Sequence, residues 1–355
     1  MTPSTTPAPA GAPDLDTPDI SVRGRDTAAE VAPVQRSVRR IALLILSRYG
    51  TLIGLLIMLI VFTIKSPTGF LSLANFYNVL SQGSLTAIIA AGLTMTLVVG
   101  EFDLSIGYAA SFAGLLSVGF MAHNHLPVVI AIVLMLAIGA GIGTVNGLLV
   151  TKVRINAVIA TLGIGTILTG VGFAYSQFPI ASGIPADFTQ IALGRLIFGI
   201  PNLIFIMLIV LAVLWVVLNK TALGQKMQAV GGNIEAARLS GIRVDRVKTF
   251  AFAVSGICAA GTGILLSSLL GSGTLAAADG YLLDAFAAVF LGSATLRDGE
   301  FHIVGTLVGV LIIAVAFNGL SVFGAPTWFQ PIFKGGILVL AVGLSTLARR
   351  YAKAS

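Results

Sequence analysis

From Leu203 to Leu218, 13 of 16 residues are Leu, Ile, Val or Phe. At about 0.3 to 0.6 kcal/mol each, that run favours insertion into a bilayer by roughly 4 to 8 kcal/mol. Similar runs recur along the chain, and about ten of them approach the ~20 residues that a spanning helix needs. They fall near 50–65, 79–99, 106–123, 126–150, 157–176, 198–218, 249–271, 282–296, 303–323 and 331–348. Only 10% of the 355 residues are Asp, Glu, Lys or Arg, while 56% are apolar. A water-facing surface of this size cannot be covered with so few charges, roughly 25% being usual. The sequence therefore predicts an all-α polytopic membrane protein. It excludes a soluble enzyme, a nucleic-acid binder and a disulfide-built secreted scaffold.

The net charge of +7 reflects membrane topology. With the N-terminus inside, ten crossings leave 18 of the 21 Lys and Arg on the inner side, and only Lys65, Arg195 and Lys334 outside. This asymmetry is the positive-inside pattern and places both termini in the cytoplasm. Residues 1–36 are rich in Pro, Thr, Ala and Asp and read as a disordered cytoplasmic tail. Residues 37–49 interleave Arg39, Arg40 and Arg48 with leucines and isoleucines, which predicts an interfacial amphipathic helix. A single membrane-spanning body runs over 50–348, its longest inner excursion is 219–248, and 349–355 is a short inner tail. The single cysteine, Cys258, sits in an apolar run and reads as a small core side chain.

An echo recurs at an offset of 172 residues. Asn146-Gly147-Leu148-Leu149-Val150 reappears as Asn318-Gly319-Leu320-Ser321-Val322, and Gly163 as Gly335. The two copies run in opposite directions across the membrane, the pattern of an inverted repeat enclosing a central path. Gly139, Gly143 and Gly147, and again Gly305 and Gly309, stand four apart. That spacing predicts close helix packing and not chemistry.

Catalytic constellations are absent. His123, His125 and His302 lie near segment ends, no His or Cys pair has metal-ligand spacing, and no GxxxxGK[ST] phosphate loop occurs. The chain is expected to bind no cofactor of its own. Its most informative polar interruption is Gly100-Glu101-Phe102-Asp103-Leu104-Ser105-Ile106-Gly107. Two carboxylates at a membrane boundary need water, a partner or a free helix end. Asp103 or Ser105 is a cap for the following helix, or else Glu101, Asp103 and Ser105 are part of a gate or helix break in contact with solute. Thr161, Thr166, Thr169 and Asn318 are the other candidates for a pathway lining, with interhelical hydrogen bonding as the alternative. Residues 231–242 predict a short inner helix with Asn233 as N-cap, Glu235 in its first turn and Gly241 beyond its end. Its paired alanines, Ala236 and Ala237, offer a smooth knob for another protein's cleft.

These segments resemble the permease subunits of sugar-type bacterial ABC importers, the group that includes the ribose and galactoside permeases. The resemblance runs from about residue 40 to the end. Residues 100–107 look like that group's GGIDLSVG segment, and Asn146-Gly147-Leu148 with Thr161-Leu162-Gly163 like its NGLL and TLG pair. Residues 231–242 are similar to its GGNPEAARLSGI loop, and Tyr281 to Leu296, Gly305-Thr306 and Asn318-Gly319-Leu320 follow its C-terminal pattern. Departures fall at Glu101 and Phe102, where the group has glycine and isoleucine, and at Leu282-Leu283, where its YEL loses the glutamate.

The resemblance implies a type II importer-like fold and a subunit that breaks no bond. It implies a second permease, as a homodimer or with a paralogue, an ABC ATPase that holds ATP and magnesium, a solute-binding protein outside, and the inner membrane as the location. Gly232, Asn233, Glu235, Ala236, Ala237, Arg238, Ser240 and Gly241 would then form the coupling helix that docks on the ATPase. The expected solute is a monosaccharide, with nucleosides and branched-chain amino acids as alternatives. Two other classes stay open: an ion-coupled transporter using Glu101, Asp103 or Asp284, and a non-transporting anchor.

Overall fold

The computed structural model describes residues 53–195, 199–293, 299–326, 328–336 and 339. The expected tail at 1–36, the amphipathic helix at 37–49 and the C-terminal tail at 349–355 lie outside them. In chain order the helices are α1 (Ile53–Lys65), α2 (Pro67–Phe70), α3 (Leu73–Val98), α4 (Ile106–Asn124), α5 (Val128–Leu148), α6 (Ala157–Tyr175), α7 (Ala186–Leu193), α8 (Asn202–Lys220), α9 (Ala222–Gly232), α10 (Ile234–Leu239), α11 (Val244–Leu270), α12 (Gly280–Ser293) and α13 (Ile303–Val322). A π-helical turn, Leu149–Val153, extends α5. The expected segment 331–348 begins in a helical stretch at 329–336, and most of its remainder lies outside the described residues. An isolated antiparallel bridge joins Ile180 to Gly273.

Seven of the described helices are long and apolar enough to cross a membrane, and α1 and α12 are shorter apolar helices. Their arrangement inverts that of a water-soluble protein. The less apolar helices α3 and α4 are buried over 83% and 78% of their spanning windows, whereas the strongly apolar α5 and α8 are buried over only 22% and 33%. A lipid-facing helix has to be apolar all round its outer surface. A central one needs small and polar groups for contact with its neighbours.

The centre is made by α3, α4 and α11, with α5 laid along α11 and with α12 and α13 along α3. The glycine spacings read from the sequence create these seams. A β-carbon at Gly143 would stand 2.0 Å from the Phe252 carbonyl oxygen, and one at Gly256 would stand 2.1 Å from that of Gly139. On the other side of the bundle a β-carbon at Gly309 would stand 2.0 Å from the Ala288 oxygen. Only hydrogen fits at these places.

Candidate functional site: the break between α3 and α4 and the α9–α10 arm

Helix α3 stops because the chain turns at Gly100, whose φ of +81° suits glycine. The Gly100 and Glu101 amides donate back to the Leu97 and Thr96 carbonyls, closing the helix end. Phe102 then stacks on Phe286 of α12, with ring centres 6.2 Å apart. Asp103 follows as an almost fully buried carboxylate, 1% exposed.

A polar knot surrounds Asp103. Its Oδ1 accepts from the Ser105 amide at 3.0 Å and the Ser105 hydroxyl at 2.6 Å, and its Oδ2 accepts from the Ser255 hydroxyl of α11 at 2.8 Å. Asn146 of α5 donates to Ser105 Oγ at 2.8 Å, and the Leu104 amide donates to Thr161 Oγ1 of α6 at 3.0 Å. One loop is thereby fastened to three spanning helices.

The capping role expected of Asp103 and Ser105 is not realised. Ser105 is the N-cap residue of α4, but its side chain caps nothing. Its hydroxyl is occupied between Asp103 and Asn146, so the knot has taken the groups that a cap would use. Glu101 forms an ion pair with Lys248 of α11, both side chains being largely buried at 16% and 13% exposure. Sequence reading missed Lys248, Ser255 and Asn146 as members of this site. The recurrence of Asn146 as Asn318 was a usable signal for one of them, whereas Ser255 lies in an apolar run with nothing to mark it.

The other expected pathway residues are dispersed. Thr161 belongs to the knot, but Thr166 faces outward on α6 and donates to the Leu162 carbonyl. Thr169 is half-buried and donates to that of Gly165. Asn318 of α13 exchanges two hydrogen bonds with Asn75 of α3, at 2.8 and 2.9 Å, far from Asp103 in the chain's path. This amide pair ties two helices together. Asn75→Leu alone is expected to destabilise the detergent-solubilised chain by about 1–3 kcal/mol by stranding the Asn318 amide, and Asn75→Leu with Asn318→Leu to recover most of that loss. Equal unfolding midpoints for the single and double variants would refute the pairing.

The segment after α8 is a two-helix arm. Thr221 caps α9 by accepting from the Gly224 amide. Asn233 ends α9 and caps α10, accepting from the Ala236 amide at 3.0 Å, and Gly241 turns the chain out of α10 with a φ of +78°. The cap, the first-turn Glu235 and the terminal glycine stand where the sequence places them; the eleven-residue α9 before them was not foreseen. The paired alanines are a correction to that reading. Ala237 is buried against the bundle and only Ala236 faces out, since consecutive helical positions point about 100° apart. Leu239, 90% exposed, is the apolar side chain that the arm presents. Arg238 pairs with Glu235 at 3.3 Å on the exposed face. The arm packs against α8 and α11 and comes nearest to α3 at Gly231, where a β-carbon would stand 1.8 Å from the Val98 carbonyl oxygen at the end of that helix.

Residues 75–342 match the family described as branched-chain amino acid transport system / permease component. The chain belongs to this family. It is similar to the ribose import permease protein of Escherichia coli (strain K12), with 36% identity over 296 residues, 82% of this chain and 91% of that protein. It is also similar to the ribose import permease protein of Bacillus subtilis (strain 168), at 38% identity over 84% of this chain and 92% of that one. With the galactose/methyl galactoside import permease protein of Salmonella typhimurium (strain LT2) it shares 34% identity over 86% of this chain and 95% of the relative. No solved structure matches the chain. The protein is thus a multi-pass inner-membrane transport permease, and the arm, the break and the polar knot are parts of that permease.

Proposed function

We propose that this chain is the membrane-spanning subunit of an ATP-driven importer for a monosaccharide, working beside a second permease, a copy of itself or a paralogue. The observation that carries the reading is the similarity, along more than 80% of the chain, to permeases named for ribose and for galactose. In this reading an ATPase subunit binds ATP and magnesium and docks on α10 around Ala236 and Leu239, and a solute-binding protein delivers sugar at the opposite end. Gly232, Asn233, Glu235, Arg238, Ser240 and Gly241 shape and cap that docking arm. Glu101, Asp103, Ser105 and Thr161 act as a gate hinge, Asn318 ties α13 to α3, and Thr166 and Thr169 only satisfy carbonyls of their own helix.

The reading extends to topology. Ten crossings place the arm and both termini inside, and two copies of one unit, α3–α4–α5 and α11–α12–α13, form an inverted repeat. Two features support the repeat: the 172-residue echo and the reciprocal packing, in which α11 lies against α4 and α5 while α3 lies against α12 and α13.

The test is uptake of labelled D-ribose and D-galactose by proteoliposomes. Accumulation is expected only when the chain is reconstituted with its ATPase and binding protein and with ATP. Robust flux from the chain alone under an ion gradient would replace this reading with ion-coupled transport.

A further inference from the structure

Between α3, α12, α13 and the helical stretch at 329–336 lies a cavity of about 370 Å³, lined among others by Gln82, Thr86, Tyr281, Asp284, Phe317 and Lys334. Its volume is within the ~300–1,000 Å³ of small-molecule sites. It lies toward the end of the bundle away from α9 and α10, since α12 starts only nine residues after α11 has crossed from the arm.

The cavity wall carries an ion pair that is only half satisfied. Lys334 Nζ donates to Asp284 Oδ2 at 2.7 Å and stands 4.8 Å from the centre of the Phe317 ring. Asp284 is 9% exposed, and its other oxygen, Oδ1, is buried with no hydrogen-bond partner. A carboxylate oxygen held this way costs free energy until a donor reaches it. An ion pair kept for stability alone would do better with that oxygen satisfied or with apolar side chains in place of both partners. The orphaned acceptor, beside a lysine that keeps further N–H donors, suits a ligand that donates and accepts from adjacent atoms. The pair is neutral overall, so it favours a neutral ligand over an ion. Gln82 and Thr86 add uncharged donors and acceptors on the α3 wall, and the Tyr281 and Phe317 rings add flat apolar surface. Adjacent hydroxyls on an otherwise C–H-faced ring meet all of these requirements.

We infer that this cavity is a solute-binding site in which the Asp284 carboxylate, turning Oδ1 toward the cavity, and Lys334 bind vicinal hydroxyls of a neutral monosaccharide. The inference rests on the importer reading above and adds to it where the sugar is held within this subunit. None of the break residues takes part. The site is reached before the Asp103 knot by a solute coming from the end opposite the arm.

The experiment uses the full chain with Cys258→Ala and Gln82→Cys, purified with its partners, and follows maleimide labelling of the new thiol. D-ribose or D-galactose is expected to slow labelling several-fold, and to leave unchanged the labelling of a control thiol placed by Gln177→Cys on the exposed 176–185 loop. In the native background Asp284→Asn is expected to raise the sugar concentration for half-maximal uptake about tenfold or more, with the ATPase still co-purifying. ATP-dependent sugar uptake by the unsubstituted transporter together with unprotected labelling of Gln82→Cys would overturn the site and leave the importer reading standing. Absence of sugar uptake in the unsubstituted transporter would overturn the importer reading, and the labelling experiment would still judge the cavity. Protection by L-leucine and by neither sugar would overturn the ligand class. Where Asp284→Asn fails to fold, the labelling result alone decides.

Discussion

Asp103→Ala is expected to abolish solute uptake and to destabilise the chain by roughly 3 kcal/mol, because it removes the acceptor shared by three donors. The Ser105 amide, the Ser105 hydroxyl and the Ser255 hydroxyl all end on this one carboxylate, inside a site from which water is excluded. Alanine leaves them without partners, and each such group costs about 1–3 kcal/mol when stranded. That is a large share of the ~5–15 kcal/mol that holds a typical domain folded. The loss also spreads. Freed from Asp103, the Ser105 hydroxyl no longer has a fixed place from which to accept the Asn146 amide, so the tie to α5 weakens with the tie to α11. Asp103→Asn separates shape from charge. Its oxygen still accepts from Ser105, and its amide can donate to Ser255 Oγ, so the fold is expected to persist. Uptake by Asp103→Asn at the unsubstituted level would assign the knot to anchoring alone. A marked fall in a protein that still unfolds at the unsubstituted temperature would assign the negative charge to gating. An unchanged unfolding midpoint for Asp103→Ala would refute the knot itself.

Much of the helical framework was legible because lipid imposes a simple rule. The run from Leu203 to Leu218 has no aqueous alternative, and it appears as α8, Asn202–Lys220. Glycines four apart were legible as seams because no other side chain allows backbones within 2.0 Å of a would-be β-carbon, and Gly143 and Gly309 are used in that way. The cap at Asn233 was legible because it is local, its side chain reaching an amide only three residues on. The partners of the polar side chains were not legible. Thr161, Thr166 and Thr169 look alike on paper, each donating to a carbonyl four residues back, yet only Thr161 reaches across to the Leu104 amide. A threonine in an apolar helix has the same composition signal whether it holds a neighbour, faces lipid or lines a path. Asn318 could not be told from a pathway residue until Asn75, 243 positions away, stood opposite it. Nor could the Asp284–Lys334 pair be read, since Lys334 looked like an outer positive charge and Asp284 like a candidate ion-coupling carboxylate, 50 positions apart.

Gly231→Leu is expected to separate ATP hydrolysis from transport. Gly231 is the closest backbone approach of the α9–α10 arm to the end of α3: a β-carbon there would lie 1.8 Å from the Val98 carbonyl oxygen and 3.0 Å from its carbon, both backbone atoms with no free rotation to relieve the clash. A leucine therefore pushes α9 off the end of α3. Overpacking of this kind costs about 1–3 kcal/mol. Each 1.4 kcal/mol spent against the coupled arrangement is about tenfold in its population. Val98 is the last residue of α3, and the next five residues carry Glu101 and Asp103, so displacement at this contact reaches the Lys248 ion pair and the polar knot before it reaches anything else. Helix α10 is untouched by the change. Its exposed face, Ala236 and Leu239, keeps its cap at Asn233 and remains available for docking. The expected phenotype is accordingly a complex that still co-purifies with its ATPase and hydrolyses ATP while sugar uptake falls about tenfold or more. Ala236→Glu should do the reverse, placing a charge on the outward face of α10 and releasing the ATPase from a permease that unfolds at the unsubstituted temperature. Should Gly231→Leu lose the ATPase as Ala236→Glu does, the arm would be a single docking surface with no lever at Val98. Should it transport normally, motion would have to pass from the arm to the bundle by its other contacts, with α8 and α11.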